Sequence, residues 1–274
     1  MLRQFRGNAL AYHPFFVSTP PKSPSQVARY TNPSTIMSSN TSRPVGSLVA
    51  DPTPASRPSR ITLTGRWVSL EPLQVSDADD LFAHVGGVDN GWIWDYMGSA
   101  PPTTIEGLRT LLASQAQSTD ALFWAIRVPG QGVVGFLSLM RIEPAHRCLE
   151  IGNILFAPIV QRTTAATEAV YLLARYAFRD LGYRRLEWKC NDLNEPSKRA
   201  ARRLGFTSEG VFRQHMIVKG RNRNTAWYSI LDSEWHGEEG GVSLEAAFEN
   251  WLDPGNFDGQ GTQRKRLEDF RAAP

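Results

Sequence analysis

Of the 274 residues, 41% are apolar and 10% aromatic, with eight Trp, enough to build a sizeable core and too many for a largely disordered chain. No run of eighteen or more apolar residues occurs, which excludes a helical membrane span on length, so the chain reads as soluble. Cys148 and Cys190 lie far apart with no second Cys or His at ligand spacing, so neither a disulfide framework nor a zinc site is indicated, and a reducing compartment fits.

The net charge of +3 is uneven along the chain. Residues 1–50 carry Arg3, Arg6, Lys22, Arg29 and Arg43 and no acid, leaving 25 basic and 27 acidic residues beyond them. This segment is rich in Ser, Thr and Pro and lacks sustained periodicity, so it buries too little apolar surface to offset its ordering entropy. It is expected to be a disordered tail over 1–58. Its first dozen residues, with Leu2, Phe5, Ala9 and Leu10 apolar and Arg3 and Arg6 cationic, resemble a mitochondrial transit peptide. A plain solvated tail on a cytoplasmic protein, or a start at Met37, accounts for them equally well. Five dispersed basic residues make no nucleic-acid patch.

The folded part is expected over 59–235. Ile61–Leu73 reads as a strand, and Ser76 and Asp77 supply cap chemistry for a helix carrying Ala78, Leu81, Phe82 and Val85. A second helix capped by Thr103 or Thr104 runs through Leu108, Leu111 and Leu112. Between them lies Asn90-Gly-Trp-Ile-Trp-Asp-Tyr-Met97. A hairpin follows, Ala121–Val128 and Val133–Ile142 about the turn Pro129–Gly132, and then a strand over Cys148–Phe156. That strand passes through the turn Gln161-Arg-Thr-Thr-Ala-Ala-Thr167 into a helix with Ala166, Ala169, Val170, Leu173, Ala177 and Leu181 on one face, stopped by Gly182.

Such a junction aims the free amides of a helix's first turn at one point, with the helix dipole adding partial positive charge. It suits a phosphate. Arg184–Cys190 is a further strand, Asn194–Phe206 a short helix closed by Gly205, and strands near Val211–Val218 and Thr225–Leu231 end the domain. Residues 236–274 are a C-terminal extension in which Ser243–Leu252 and Gln263–Phe270 have helical patterns, with packing on the domain, a dimer contact and a free tail all open. Monomer and homodimer are both open.

Glu150–Phe156, Gln161–Thr167, and Asn194-x-x-Ser197 followed by Leu204-Gly-Phe206 together resemble the GNAT acyltransferases, and within them the RimJ/RimL-like group. The resemblance covers roughly residues 61–235. It implies an α/β fold of GNAT type: a mixed, mostly antiparallel sheet with flanking helices and a splayed parallel strand pair for acyl-CoA. It also implies an acetyl-CoA-dependent N-acetyltransferase, without a metal, acting on a primary amine of a small molecule or protein. No nucleic-acid or membrane partner is implied.

By that resemblance Leu155 and Phe156 lie on the strand that meets the pantetheine arm. Gln161, Arg162, Thr163, Thr164, Ala165, Ala166 and Thr167 form the pyrophosphate turn. Thr164 and Ala166 stand where the family has glycine, and Thr164 narrows the approach while offering a hydroxyl. Thr163 or Thr164 could equally be a plain helix cap.

The chemistry is amine attack on a thioester, which needs a neutral amine and a proton for the departing thiolate. Glu150, 11 positions before Gln161, resembles the catalytic glutamate of histone-type members, and Glu187 the acidic position of the ribosomal-protein group. Either could accept the proton, and either could be an ordinary ion pair with Arg147 or Arg185. Where many members place a tyrosine this chain has Ala201, so the resemblance leaves Ser197 as donor to the sulfur, with Asn194 orienting the pantetheine amide. Both could instead serve as capping residues. Trp92, Trp94, Asp95 and Tyr96 make a candidate wall for the amine, joined by His215, although the aromatics could simply pack on the core. The departures at Thr164, Ala166 and Ala201 motivate the alternative reading, a degenerate GNAT domain that binds CoA or a partner without catalysis.

Overall fold

The first apolar run does not form one strand. In the computed structural model, which describes residues 44–237 and 241–271, it divides into β1 (Leu63–Thr64) and β2 (Ser69–Pro72), paired antiparallel. A buried carboxylate makes the break: Glu168 accepts hydrogen bonds from the amides of Arg66, Trp67 and Val68 at 2.8, 2.6 and 3.0 Å. A Cβ on Gly65 would lie 2.4 Å from the Glu168 carboxyl carbon, so only glycine passes there. Three charge-assisted bonds offset the burial of this acid.

The remaining elements follow the sequence pattern closely. α1 (Ala78–Val85) buries Ala78, Leu81 and Val85. α2 (Ile105–Gln117) is capped by Thr104, whose side chain accepts from Gly107 N. β3 (Leu122–Val128) and β4 (Gly132–Glu143) form the expected hairpin, and β5 covers Cys148–Phe156. α3 (Thr164–Arg175) runs on through one wider turn over Tyr176–Asp180, and Gly182 then takes a left-handed φ of 71°. β6 (Arg185–Asn191), α4 (Glu195–Arg203), β7 (Thr207–Val218) and β8 (Arg221–Leu231) complete the domain.

The strands make a single sheet in the order β1-β2-β3-β4-β5-β6-β8-β7. Every pairing is antiparallel except β5 with β6. β8 lies between β6 and β7, so β7 is the edge strand. The sheet is mixed and mostly antiparallel, with flanking helices, in agreement with the fold class the sequence implied.

Both ends of the chain extend the packed body beyond the expected limits. The described residues from 49 onward form one compact unit. Arg147 Nε donates to Thr53 O at 2.7 Å, Ala55 N to Pro144 O at 3.0 Å, and Arg57 reaches Ile142 O and Thr119 O. Thr53, Ala55 and Arg57, which precede the start expected at residue 59, thus contact the domain. Prolines 52, 54 and 58 hold this stretch extended while Thr53 O and Ala55 N find partners in the turn after β4 and the Arg57 side chain reaches β4 itself. The transit-peptide resemblance and the rest of the disordered-tail expectation, over 1–43, lie outside the described residues.

At the other end, α5 (Asp232–His236), α6 (Leu244–Leu252) and α7 (Leu267–Arg271) follow β8. Leu244, Phe248, Trp251 and Leu267 are buried. Trp235 stacks on Phe178 and Tyr171, with Phe248 completing the cluster at 5.5 Å from Tyr171. Of the possibilities left open for the extension, the described part packs on the domain. Burial of that many aromatic rings is worth several kcal/mol.

Candidate active site

β5 and β6 are paired only over Cys148↔Arg185, Leu149↔Leu186 and Glu150↔Glu187. Beyond Glu150, β5 continues to Phe156 along β4, while β6 continues to Asn191 along β8. The two strands therefore part, and the β6-facing edge of Ile151–Phe156 is left without a strand partner. A bulge in β5 marks the start of the split. Phe136↔Leu155 and Ser138↔Gly152 leave one extra residue on β5, and Asn153 has φ of 50°. Ser138 Oγ donates to Gly152 O at 3.0 Å and accepts from Asn153 Nδ2 at 3.1 Å, which fixes the bulge.

The turn lies at the far end of the same strand. Arg162 has φ of 62°, and the Gln161 side chain donates to Phe156 O at 3.0 Å. Thr163 is the N-cap of α3, its Oγ1 accepting from Ala166 N at 3.3 Å. This is the cap reading, and it leaves the amides of Thr164 and Ala165 at the head of the helix. Thr167 is buried, and its Oγ1 accepts from Arg203 Nη1 at 3.0 Å. Burial lowers the pKa of Arg203, which also lies over the ring of Trp251. A helix start backed by a half-buried guanidinium fits an anion such as a diphosphate.

Glu150 and Glu187 stand at the last paired rung and are both buried. Glu150 is 2.7 Å from Arg141 Nη1 and 3.1 Å from Lys189 Nζ. Glu187 is 2.8 Å from Arg185 Nε and 2.6 Å from the same Lys189 Nζ. Burial alone would raise the Glu187 carboxyl, but hydrogen bonds from Lys189 and Arg185 hold it below the ordinary glutamate value. The ammonium also lies 3.9 Å from the centre of the Trp227 ring. Arg147, one of the two arginines expected to pair with these acids, binds Asp51 instead.

Neither Lys189 nor Arg141 was picked out from the sequence. The signal was present in Glu187-Trp188-Lys189, because residues i and i+2 of a strand share a face and an acid-base pair at that spacing in an apolar strand has to be internally matched.

Ser197 and Asn194 sit where β6 ends. Asn194 Oδ1 accepts from Ser197 N at 3.1 Å, so Asn194 is the N-cap of α4. Ser197 Oγ accepts from Trp188 Nε1 at 3.0 Å. Indole is a donor only, so this bond occupies a lone pair and leaves the hydroxyl proton to be given elsewhere. Capping and proton donation are compatible. Ala201 is fully buried behind them.

The expected aromatic wall divides. Trp94 is fully buried, donates its indole N–H to Val85 O at 2.8 Å and packs on Phe136, so it belongs to the core and not to a substrate wall. The physical reason is the short helical turn over Gly91–Trp94, which rotates alternate side chains to opposite sides and sends Trp92 out. Tyr96 is exposed and donates to Leu193 O at 3.1 Å, beside Asn194. Asp95 is exposed, and Lys219 Nζ donates to Trp94 O at 2.6 Å, so the β7–β8 tip meets this loop. His215 lies on β7, its Nδ1 3.0 Å from Thr225 Oγ1. Among the described residues no three His, Cys, Asp or Glu side chains come together as a metal site. Nor is any described helix long and apolar enough to cross a membrane.

Residues 68–207 match the family model described as an acetyltransferase (GNAT) domain. A GCN5-related N-acetyltransferase from Brucella melitensis has 45% sequence identity, with 80% of this chain and 97% of that one covered and a TM-score of 0.76. YdaF of Bacillus subtilis, provisionally named a ribosomal N-acetyltransferase, is 32% identical over 105 residues, 38% of this chain. That match spans 57% of YdaF's own length. The spermidine N(1)-acetyltransferase of Escherichia coli is 25% identical over 172 residues, 62% of this chain and 89% of that protein. With a single open sheet parted at one parallel pair and a helix start at the end of the parted strand, the chain belongs to the GNAT acetyltransferase family, whose cosubstrate is acetyl-CoA.

Proposed function

We propose that this chain transfers the acetyl group of acetyl-CoA to a primary amine of a small molecule or protein by direct attack on the thioester. The parting of β5 from β6 beyond Glu150 carries the proposal. It leaves the edge of Ile151–Leu155 that faces away from β4 without a strand partner, able to pair with an extended amide-bearing arm such as pantetheine.

In this reading Leu155 and Phe156 contribute backbone, and the α3 start from Gln161 to Thr167 holds the diphosphate, with Arg203 behind it. Asn194 keeps its Nδ2 group for the arm, because its Oδ1 is committed to Ser197 N. Ser197 gives its proton to the departing thiolate while Trp188 holds the oxygen in place. Glu150 or Glu187 takes a proton from the bound ammonium, directly or through water, and the neutral amine then attacks the thioester carbonyl. Hydrogen bonds from Lys189 and Arg185 hold the Glu187 carboxyl below the ordinary glutamate value, and the same ammonium lies 3.1 Å from Glu150. Trp92, Asp95, Tyr96 and His215 border the amine side, with Trp94 removed from that group.

A thiol-release assay over a panel of amines tests the reading. Free CoA that forms only with an amine present supports it. Acetyl-CoA binding without turnover across the panel would favour the degenerate, binding-only alternative.

A further inference from the structure

β7 and β8 fall out of register opposite the parted strands. Phe212 pairs with Thr225 and Met216 with Arg223, so Arg213, Gln214 and His215 bulge out opposite Asn224 alone. Gln214 takes φ of 49°, and its amide donates to Asn224 Oδ1 at 2.8 Å, which pins the bulge. An open concavity of about 830 Å³ lies there, lined by Phe212, Arg213, Gln214, His215, Asn222 and Asn224. It adjoins the candidate site. Thr225 pairs with Asn191 at the end of β6, and Arg223 is close enough to Glu150 and Arg141 for their charges to act on it.

The chemistry of this rim is one-sided. From Gly210 to Leu231 the hairpin carries Arg213, Lys219, Arg221, Arg223 and His215, and no Asp or Glu. Among the described residues, no carboxylate lies within ion-pair distance of Arg213, Arg221 or Arg223. Of the acids around the hairpin, Glu150 is held by Arg141 and Lys189, Glu187 by Arg185 and Lys189, Glu209 by Arg185 and Ser229, and Asp192 by Lys198, while Asp95 stands exposed at the loop that the Lys219 tip touches.

Arg223 is half-buried and donates through Nε to Thr225 Oγ1 at 3.2 Å, leaving its terminal nitrogens uncommitted to any acid. Thr225 Oγ1, which accepts from Arg223, also lies 3.0 Å from His215 Nδ1, so this contact engages one ring nitrogen and leaves Nε2 as the other. Arg213 and Arg223 thus offer hydrogen-bond donors and positive charge with no acceptor of their own, and the imidazole of His215 stands with Arg213 in the bulge.

We propose that the acceptor is an amine that also carries an anionic group, a carboxylate or a phosphate, and that Arg213, Arg223 and His215 at the β7 bulge hold that group. The inference rests on the acetyltransferase reading and deepens it. A polyamine would bring several positive charges to a rim that already holds four cationic side chains, and like charges repel there. By this rim, the chain differs in substrate class from the relative named for spermidine.

The experiment uses the full chain with acetyl-CoA and amines matched in size and opposite in charge. 4-Aminobutyrate supplies the carboxylate arm and O-phosphoethanolamine the phosphate arm, against 1,4-diaminobutane and spermidine; free-amine tetrapeptides with acidic or lysine residues after the first extend both series. We expect kcat/KM at low salt to favour the anionic members by about 10-fold or more, and the gap to narrow as ionic strength rises. In an Arg213→Ala, Arg223→Ala variant the preference should fall below about 2-fold. Equal use of both charge classes, or preference for the diamines, overturns the inference while leaving the acetyltransferase reading intact.

Absence of turnover for every amine, with acetyl-CoA still bound, counts against that reading instead. Saturation-transfer NMR on the CoA-bound protein then decides the anion site separately. Transfer to 4-aminobutyrate or O-phosphoethanolamine that Arg213→Glu abolishes upholds it. Transfer to the diamines alone, or to none of the probes, refutes it. Arg213 is exposed, so its substitution tests binding and not folding.

Discussion

Glu150 and Glu187 face each other across the last rung of parallel pairing, and one ammonium, Lys189 Nζ, lies 3.1 Å from the first and 2.6 Å from the second. Two buried carboxylates this close repel unless a cation lies between them. The single parallel pair of the sheet thus ends at a charge cluster that each strand needs the other to complete.

Lys189→Met should therefore destabilise the fold by about 2–4 kcal/mol, since each glutamate keeps one arginine but loses the shared partner. Calorimetry would register this as a lower Tm. Glu187 has a depressed folded pKa, so its stabilising contribution is present above its unfolded value and is lost as pH falls through the lower, folded one. Acid unfolding of Glu187→Gln should accordingly lack part of the wild-type pH dependence below the ordinary glutamate range. An unchanged acid transition would show that the ion pair contributes nothing to the fold.

Ser197→Ala should lower kcat by about 10-fold to 10³-fold with little change in acetyl-CoA affinity, as loss of one acid group does. The substitution also strands the Trp188 indole N–H, so part of the effect is structural. Trp188→Phe separates the two, since it keeps the hydroxyl and removes only its holder, and a smaller loss of kcat is expected. Full activity of Ser197→Ala would leave this residue as a plain part of the α4 cap.

Thr164→Asp makes opposite demands on fold and ligand. A carboxylate in the first turn of α3 meets the positive end of the helix dipole, worth about 0.3–1 kcal/mol in favour of the fold. The same charge faces the diphosphate, where repulsion should weaken binding by on the order of a few kcal/mol. Tm should hold or rise while the acetyl-CoA dissociation constant, measured by calorimetry, increases. An unchanged constant removes the diphosphate from this turn.

Truncation locates the edge of the folded body. Removing residues 1–43 should leave Tm unchanged, whereas removal through residue 58 strips the partners of Arg147, Pro144 O and Ile142 O and should lower it by several degrees. Equal melting of the two variants would show residues 51–58 to be a passive strap.

The sequence by itself determined the elements. Strand and helix periods, a threonine cap at 103–104 and at 163–164, and the stops at Gly182 and Gly205 each depend on side chains within a few residues of one another, so local chemistry sets them, and the structure chose Thr104 and Thr163. The family resemblance was legible for the same reason, because Gln161–Thr167 and Asn194–Ser197 are short, contiguous pieces.

Only the tertiary structure decided how residues distant in the chain share one environment. Glu168 breaks the first strand from about 100 positions away, Lys189 binds an acid on a neighbouring strand, and Trp94 turns inward because Val85 O and Phe136 receive it. The bulge at Arg213–His215 arises from register against β8, and no period in β7 announces it. Buried charges and displaced strands are satisfied by partners, and partners are assigned by the way the sheet closes, which local spacing does not encode.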